Sequence, residues 1–251
     1  MGLSKLYLTF ILCCIVRTIM ADPSDLDTML TRFPRAAQAA ANTEAFWVEK
    51  CKTVADAFPP EQLFIRAYKE EKKLEIWGGN PAGFVLLKTY DICTVPGVPG
   101  PKIRQGDKQV PEGFYMIDSI NPDSEFHLSL RINYPNAADT VRSREEKDPG
   151  GDIFIHGDCY SVGCLPMEDA PMEEIFWIVV RFLNRYADKK VRVLVLPFDL
   201  QDAQKYAWYT VKYPQWTSFW DSLKNIDFYF SEMAELPDVF VNEEGQYQIR
   251  Y

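Results

Sequence analysis

The chain has 251 residues, 47% of them hydrophobic and 14% aromatic, with 27 basic against 36 acidic residues and a net charge of −9. This is enough apolar material for one substantial core carrying appended helices. The acidic balance opposes a nucleic-acid partner and leaves no polybasic patch for a membrane surface.

Lys5 precedes an apolar run from Leu6 to Val16, and Ala21 stands before Asp22 at a position suited to cleavage, so residues 1–21 read as a secretory signal peptide. An uncleaved anchor is the alternative, because Ile19 is large for a cleavage site and Arg17 follows the run, but the run is short for a bilayer span. Without this segment 25 basic residues face 36 acidic ones, and four cysteines remain: Cys51, Cys93, Cys159 and Cys164. Residues 34–58, alanine-rich and carrying Phe46 and Trp47, predict a helix stopped by Pro59-Pro60. Runs of Phe, Ile, Leu, Val and Tyr then predict strands over 62–68, 72–78 and 83–93, paired as a meander. The prolines and glycines of 96–113 predict a long surface loop, either a lid over a site or an inert connection, and its stretch Lys102-Ile-Arg104-Gln-Gly-Asp-Lys108 is locally basic.

Strands resume over 114–120 and 126–132. In the second, alternation sets Phe126, Leu128 and Leu130 on one face and His127, Ser129 and Arg131 on the more polar one. Residues 136–150 read as an exposed loop. Asp169 and Pro171 open a helix whose apolar face carries Ile175, Ile178, Val179, Phe182, Leu183 and Tyr186, and 191–196 is a buried strand. An amphipathic helix over Trp216–Glu235 and two short strands around Asn242-Glu-Glu-Gly245 end the chain, with Trp208, Trp216 and Trp220 read as core aromatics rather than a sugar-stacking platform.

The densest chemistry lies in Gly151-Asp-Ile-Phe-Ile-His156-Gly157-Asp-Cys159-Tyr-Ser161-Val-Gly163-Cys164-Leu-Pro-Met167. A short strand over Ile153–Ile155, turned at Gly157, returns Cys164 toward His156. A thiol beside an imidazole is a candidate nucleophile and base, the histidine stabilising the thiolate as an ion pair, and open backbone at Gly163 offers amide N–H groups to an oxyanion. The same residues allow a buried inert Cys164, three zinc ligands in His156, Cys159 and Cys164, or a Cys159–Cys164 disulfide. Cys51 with Cys93 is a further conceivable pair. With Cys164 as nucleophile, at least one more thiol is free or paired outside the chain.

Ile155-His156-Gly157 followed by Ser161-Val-Gly163-Cys164-Leu-Pro-Met167 resembles the active-site signature of the L,D-transpeptidase (YkuD) domain family, in the shorter form of its YafK-like branch. The resemblance extends through Phe64–Trp77, Lys88–Cys93, Gly100–Tyr115, Asn121–Leu130 and on to Pro197-Phe198. Most of the wider family has a longer excursion between histidine and cysteine and a second histidine where this chain has Val162, a departure that bears on the substrate pocket.

The resemblance implies an α+β fold: an L,D-transpeptidase-like, β-rich catalytic domain of sandwich-type mixed sheet over 61–200 with flanking helices. A helical extension over 22–60 precedes it, and helices and short strands over 201–251 pack on the same domain. It also implies that Cys164 attacks a peptidoglycan amide to give a thioester, that His156 moves the proton, and that the Gly157 carbonyl orients the imidazole. Backbone N–H groups near Gly163 and Cys164 would hold the oxyanion. Lys102 or Arg104 would meet a stem-peptide carboxylate, His127 and Ser161 would line the pocket, and no metal or cofactor is required. An amine acceptor, from an amino acid or a wall-linked protein, gives transpeptidation. Water gives an amidase or peptidase that detaches peptides or lipoprotein from the wall. The rival from another class is a non-catalytic wall-binding protein with zinc or a disulfide at Cys159 and Cys164. The expected partners are stem peptides, with no nucleic acid or transmembrane partner, and the expected place is the periplasm or cell wall after secretion across the inner membrane.

Overall fold

Proline and capping chemistry set the first helices of the computed structural model, which describes residues 21–23, 25–54, 57–146 and 148–250. Apart from Ala21, the signal-peptide segment lies outside the described residues. Asp25 caps α1 (Leu26–Arg32) by accepting Thr28 N–H at 3.0 Å, and Pro34 opens α2 (Pro34–Cys51), where its missing donor costs nothing. Among the described residues no helix is long and apolar enough to cross a membrane.

Strands β1 (Gln62–Tyr68), β2 (Lys73–Asn80) and β3 (Gly83–Asp91) form the expected antiparallel meander. They belong to an eight-stranded mixed sheet with β4 (Gly113–Ser124), β5 (His127–Ile132), β6 (Phe154–His156), β7 (Leu165–Pro166) and β8 (Arg192–Leu196), ordered β3-β2-β1-β8-β4-β5-β6-β7. The β8 run Val-Leu-Val-Leu is buried on both faces, and it is central, parallel to β1 and antiparallel to β4. Helix α4 (Asp169–Arg185) makes the connection from β7 to β8. β4 joins the two halves: Gly113–Met116 pair with β8, and from Ile117 onward it pairs with β5 through two irregularities in register.

One core unites the inward faces of both halves with α1, α2 and α4, including Trp47, Ile76, Leu130, Ile155, Leu165, Phe176 and Val193. The architecture is therefore α+β, a large mixed sheet with flanking helices. On the other face, Phe64, Leu194, Phe198, Trp220 and Phe230 pack with α6 (Thr217–Met233) and the hairpin of β9 (Asp238–Val241) and β10 (Tyr247–Arg250). Trp220 is fully buried, whereas Trp208 on α5 (Ala203–Lys212) is 55% exposed, so the core reading of the tryptophans does not extend to it.

Three local details depart from the sequence reading. The expected exposed loop at 136–150 contains α3 (Ala137–Arg142), closed by a capping box between Asn136 and Asp139 and anchored by buried Asp139, which accepts from Tyr115 and Arg142. The 96–112 segment is stapled down: buried Lys69 donates to the carbonyls of Gly100 (3.0 Å) and Val110 (2.8 Å) and to Glu112 Oε1 (2.8 Å), while Glu112 also accepts from Gly100 N–H and Trp220 Nε1. Finally, His127 has φ +65°, which breaks strand alternation and turns Phe126 off the core face to lie against His156, with centroids 4.8 Å apart and the rings tilted by 39°.

Candidate active site

Register sorts the side chains at the site. Ile120, Leu130, Ile155 and Leu165 are aligned across β4, β5, β6 and β7 and point into the core. The adjacent row is Asn121, Ser129, His156 and Pro166, on the opposite face. Cys164, one residue before Leu165, falls on that same face. Gly157 must be glycine by crowding, since a Cβ there would lie 2.7 Å from Asp169 Oδ1, 2.8 Å from His127 Cβ and 3.0 Å from Phe126 O. Gly163 holds φ +153° beside the Gln109 carbonyl, which a Cβ would approach to 3.2 Å.

His156 Nδ1 lies 2.6 Å from the Gly157 carbonyl. A carbonyl only accepts, so Nδ1 carries the proton and Nε2 keeps its lone pair. The imidazole is 3% exposed, and burial pushes its pKa below the ordinary 6.5, against a smaller upward pull from the Gly157 carbonyl and Asp158. Cys164 is a free, half-buried thiol whose Sγ accepts Phe154 N–H at 3.4 Å and donates toward the Asp152 carbonyl at 3.8 Å. Burial pushes its pKa above 9.0 and Asp152 adds to this, while Phe154 N–H and Lys102 oppose it. The resting pair is thus a neutral thiol and a neutral imidazole rather than the ion pair expected from the sequence, because desolvation dominates at both groups. Among the described residues no hydrogen bond joins them, but both line one cavity of 190 Å³ with Asn121, Ser124, Glu125, Phe126, Ser129, Asp152 and Phe154. Larger clefts of 390, 550 and 660 Å³ hold no cysteine or histidine, so chemistry rather than size marks the site.

The remaining expected residues have other engagements. Ser161 Oγ accepts from Cys164 N–H at 2.7 Å and Gly163 N–H at 3.1 Å and donates to Cys164 O at 3.0 Å, so it occupies both amides assigned to an oxyanion. Lys102 is buried with its ammonium on Asp107 Oδ1 (2.7 Å) and the Arg104 carbonyl (2.8 Å), which makes it a loop staple instead of a carboxylate receptor. Arg104 is exposed and does not line the cavity. The His127 ring points at α4, 3.1 Å from Glu173 Oε1 and 3.9 Å from Asp169 Oδ2, behind the Gly157 turn and outside the cavity lining.

Cys159 is bonded to Cys93, with Cα atoms 5.3 Å apart and 66 residues of separation. This corrects the Cys159–Cys164 and Cys51–Cys93 pairings and removes Cys159 from any zinc set. Among the described residues no three His, Cys, Asp or Glu side chains cluster as metal ligands. Cys51 is free and buried, its thiol pushed up to about 12. Cavity residues to which the sequence reading gives no site role are Asn121, Ser124, Glu125, Phe126, Ser129 and Phe154. Alternation had put Ser129 on the polar face, but only strand register places it beside His156.

No family model matches the chain. The chain is 35% identical over 189 residues to the Escherichia coli K12 protein named "Putative L,D-transpeptidase YafK", covering 74% of this chain and 73% of that one. It belongs to this family of YafK-type L,D-transpeptidases. Among solved structures it is similar to the helical cell shape determining protein Pgp2 of Campylobacter jejuni, with 21% identity, 80% of this chain and 81% of that chain covered, and a TM-score of 0.45. It is also similar to Bd1075 of Bdellovibrio bacteriovorus, with 19% identity, 70% and 65% coverage, and a TM-score of 0.38.

Proposed function

We propose that the chain is a cysteine-dependent peptidoglycan L,D-transpeptidase that acts on stem peptides in the periplasm or cell wall. The observation that carries the reading is a free thiol at Cys164 in the same cavity as His156, whose Nδ1–H is committed to the Gly157 carbonyl so that Nε2 keeps the lone pair of a base. The family relationship supports the reaction class.

With both groups neutral at rest, the thiol proton passes to His156 Nε2 as sulfur attacks the amide carbonyl. Rotation of the Cys164 side chain away from the Asp152 carbonyl precedes this step. Collapse of the tetrahedral intermediate breaks the C–N bond, the leaving amine takes the proton from His156, and a thioester remains. An acceptor amine then attacks the thioester, and its proton passes to His156 Nε2 and from there to sulfur as the C–S bond breaks, which leaves a new amide and the free thiol. Gly163 and Cys164 N–H groups serve the oxyanion only if Ser161 Oγ yields them. The Cys93–Cys159 disulfide supports an oxidising compartment.

The test is mass spectrometry of muropeptides after residues 22–251, wild type and Cys164→Ala, are incubated with sacculi. Cross-linked or amino-acid-exchanged products from wild type alone are expected. Shortened stems or released peptides would make water the acceptor, and identical digests from both proteins would refute a catalytic cysteine.

A further inference from the structure

Two buried polar side chains in the cavity carry hydrogen-bonding groups that the protein leaves unused. Asn121 is 6% exposed and Ser129 2%. Asn121 Oδ1 accepts Asp123 N–H at 3.0 Å, which fixes the carboxamide with Nδ2 as its other end. Among the described residues no group is bonded to Asn121 Nδ2 or Ser129 Oγ, and neither belongs to the sealed unpartnered atoms, which are Glu71 Oε2 and Arg142 Nε. Both therefore open onto the cavity that the two residues line. Buried polar groups are almost always paired, so a pair of open ones facing a reactive cysteine and histidine calls for a ligand.

Their placement defines what the ligand offers. Asn121 is opposite Ser129, and Ser129 is opposite His156, so the three form one row across β4, β5 and β6. Two strand spacings put Asn121 about 10 Å from His156, roughly the span of three extended peptide residues. With Oδ1 spent on Asp123, Asn121 presents a donor and hence reads an acceptor oxygen. The charged lining residues are Glu125 and Asp152, the latter 3.8 Å from the Arg131 guanidinium, and neither lysine nor arginine lines the cavity, so a bound carboxylate would meet Glu125 with no lining cation to receive it. We propose that Asn121 and Ser129 are substrate-binding residues that donate to a neutral carbonyl oxygen of the stem peptide, remote from the bond that is cleaved. This rests on the peptidoglycan reading given above.

The experiment is calorimetric binding of a disaccharide-tetrapeptide muropeptide to residues 22–251 carrying Cys164→Ala, alone and with Asn121→Asp or Ser129→Ala, beside turnover by proteins with Cys164 intact. Asn121→Asp keeps an oxygen for Asp123 N–H and removes the donor. It is expected to weaken Kd and raise KM about tenfold, and Ser129→Ala about threefold, with Tm and the rate of Cys164 alkylation by iodoacetamide unchanged in Ser129→Ala. The Asn121→Asp loss should persist when the peptide's terminal carboxylate is amidated. Unchanged Kd in both variants, a loss that vanishes on amidation, or no muropeptide binding by the parent protein would overturn the assignment. Binding with the expected Asn121 dependence but no turnover by the Cys164 protein would uphold the assignment and sink the catalytic reading.

Discussion

Replacing Cys93 and Cys159 together by alanine tests how the site loop is held. The bond spans 66 residues, and chain-entropy reasoning for a closed loop of that length gives about 4 kcal/mol of stabilisation, an upper figure because an enthalpic cost of the bridge in the folded state would subtract from it. Part of the attachment survives its loss, since Cys93 N–H still donates to the Pro166 carbonyl at 3.0 Å. The cysteine at 159 sits within the connection that carries Ser161 and Gly163, so loosening it reaches both Ser161-bonded amides next to the thiol. Urea unfolding of residues 22–251 is expected to show a loss of about 2–4 kcal/mol, with a fall in kcat/KM for muropeptides that exceeds any change in Kd. Thiol titration of unmutated residues 22–251 supplies the control: without reductant two thiols, Cys51 and Cys164, react after unfolding, and four react after reduction. A loss below about 1 kcal/mol with full activity would refute the idea that this bond holds the loop.

Glu112→Ala removes the partner of buried Lys69 and the acceptor for Gly100 N–H and Trp220 Nε1, and should cost about 3–5 kcal/mol by thermal or urea unfolding. Gly157→Ala forces contacts of 2.7–3.0 Å on Asp169, His127 and Phe126, so a loss of about 1–3 kcal/mol together with a sharp fall in turnover is expected. The pH dependence has a definite sign. Burial holds the His156 pKa below 6.5, so as pH falls from 6.5 toward the folded value the unfolded chain takes up a proton that the folded one refuses. Stability is lost across that window, and His156→Gln, whose side chain does not titrate, should flatten that part of the stability curve. The same shift keeps the proposed base unprotonated, so the acid limb of kcat/KM should lie below the usual histidine range. Alkylation of Cys164 in the absence of substrate should still be rising with pH past 9.0.

Much of the framework is legible in the sequence because its signals are local. The β1–β3 meander follows from apolar runs with turn residues between them, and the central place of β8 suits Val191-Arg-Val-Leu-Val-Leu196, an almost unbroken apolar strand. Helix α3 is less legible, since six residues are too few to show a period and its stability comes from the Asn136–Asp139 box and a buried Asp139. The Cys93–Cys159 bond is invisible locally, because β3 and β7 are opposite edges of the sheet and meet only through the segment after β3, where Cys93 N–H donates to the Pro166 carbonyl. Lys102 misleads for a similar reason: a basic run reads as solvent-facing, yet the Asp107 carboxylate five residues on turns the ammonium inward.

The site itself shows how little sequence a functional face needs once register is fixed. β6 is three residues and β7 two, too short for any periodic signal, yet the pairings Leu130–Ile155–Leu165 and Ser129–His156–Pro166 assign every side chain to a face. A slip of one residue would carry His156 into the core and expose Ile155, and the cost of burying an imidazole among Leu130, Leu165 and Ile120 opposes it. The apolar row thus enforces the polar one. The departure at His127, with its positive φ, adds the remaining element: it frees Phe126 to cover the imidazole and helps keep His156 dry. That dryness lowers the His156 pKa and leaves the imidazole neutral. The reactivity assigned to Cys164 and His156 is therefore inseparable from the hydrophobic pairing directly beneath them.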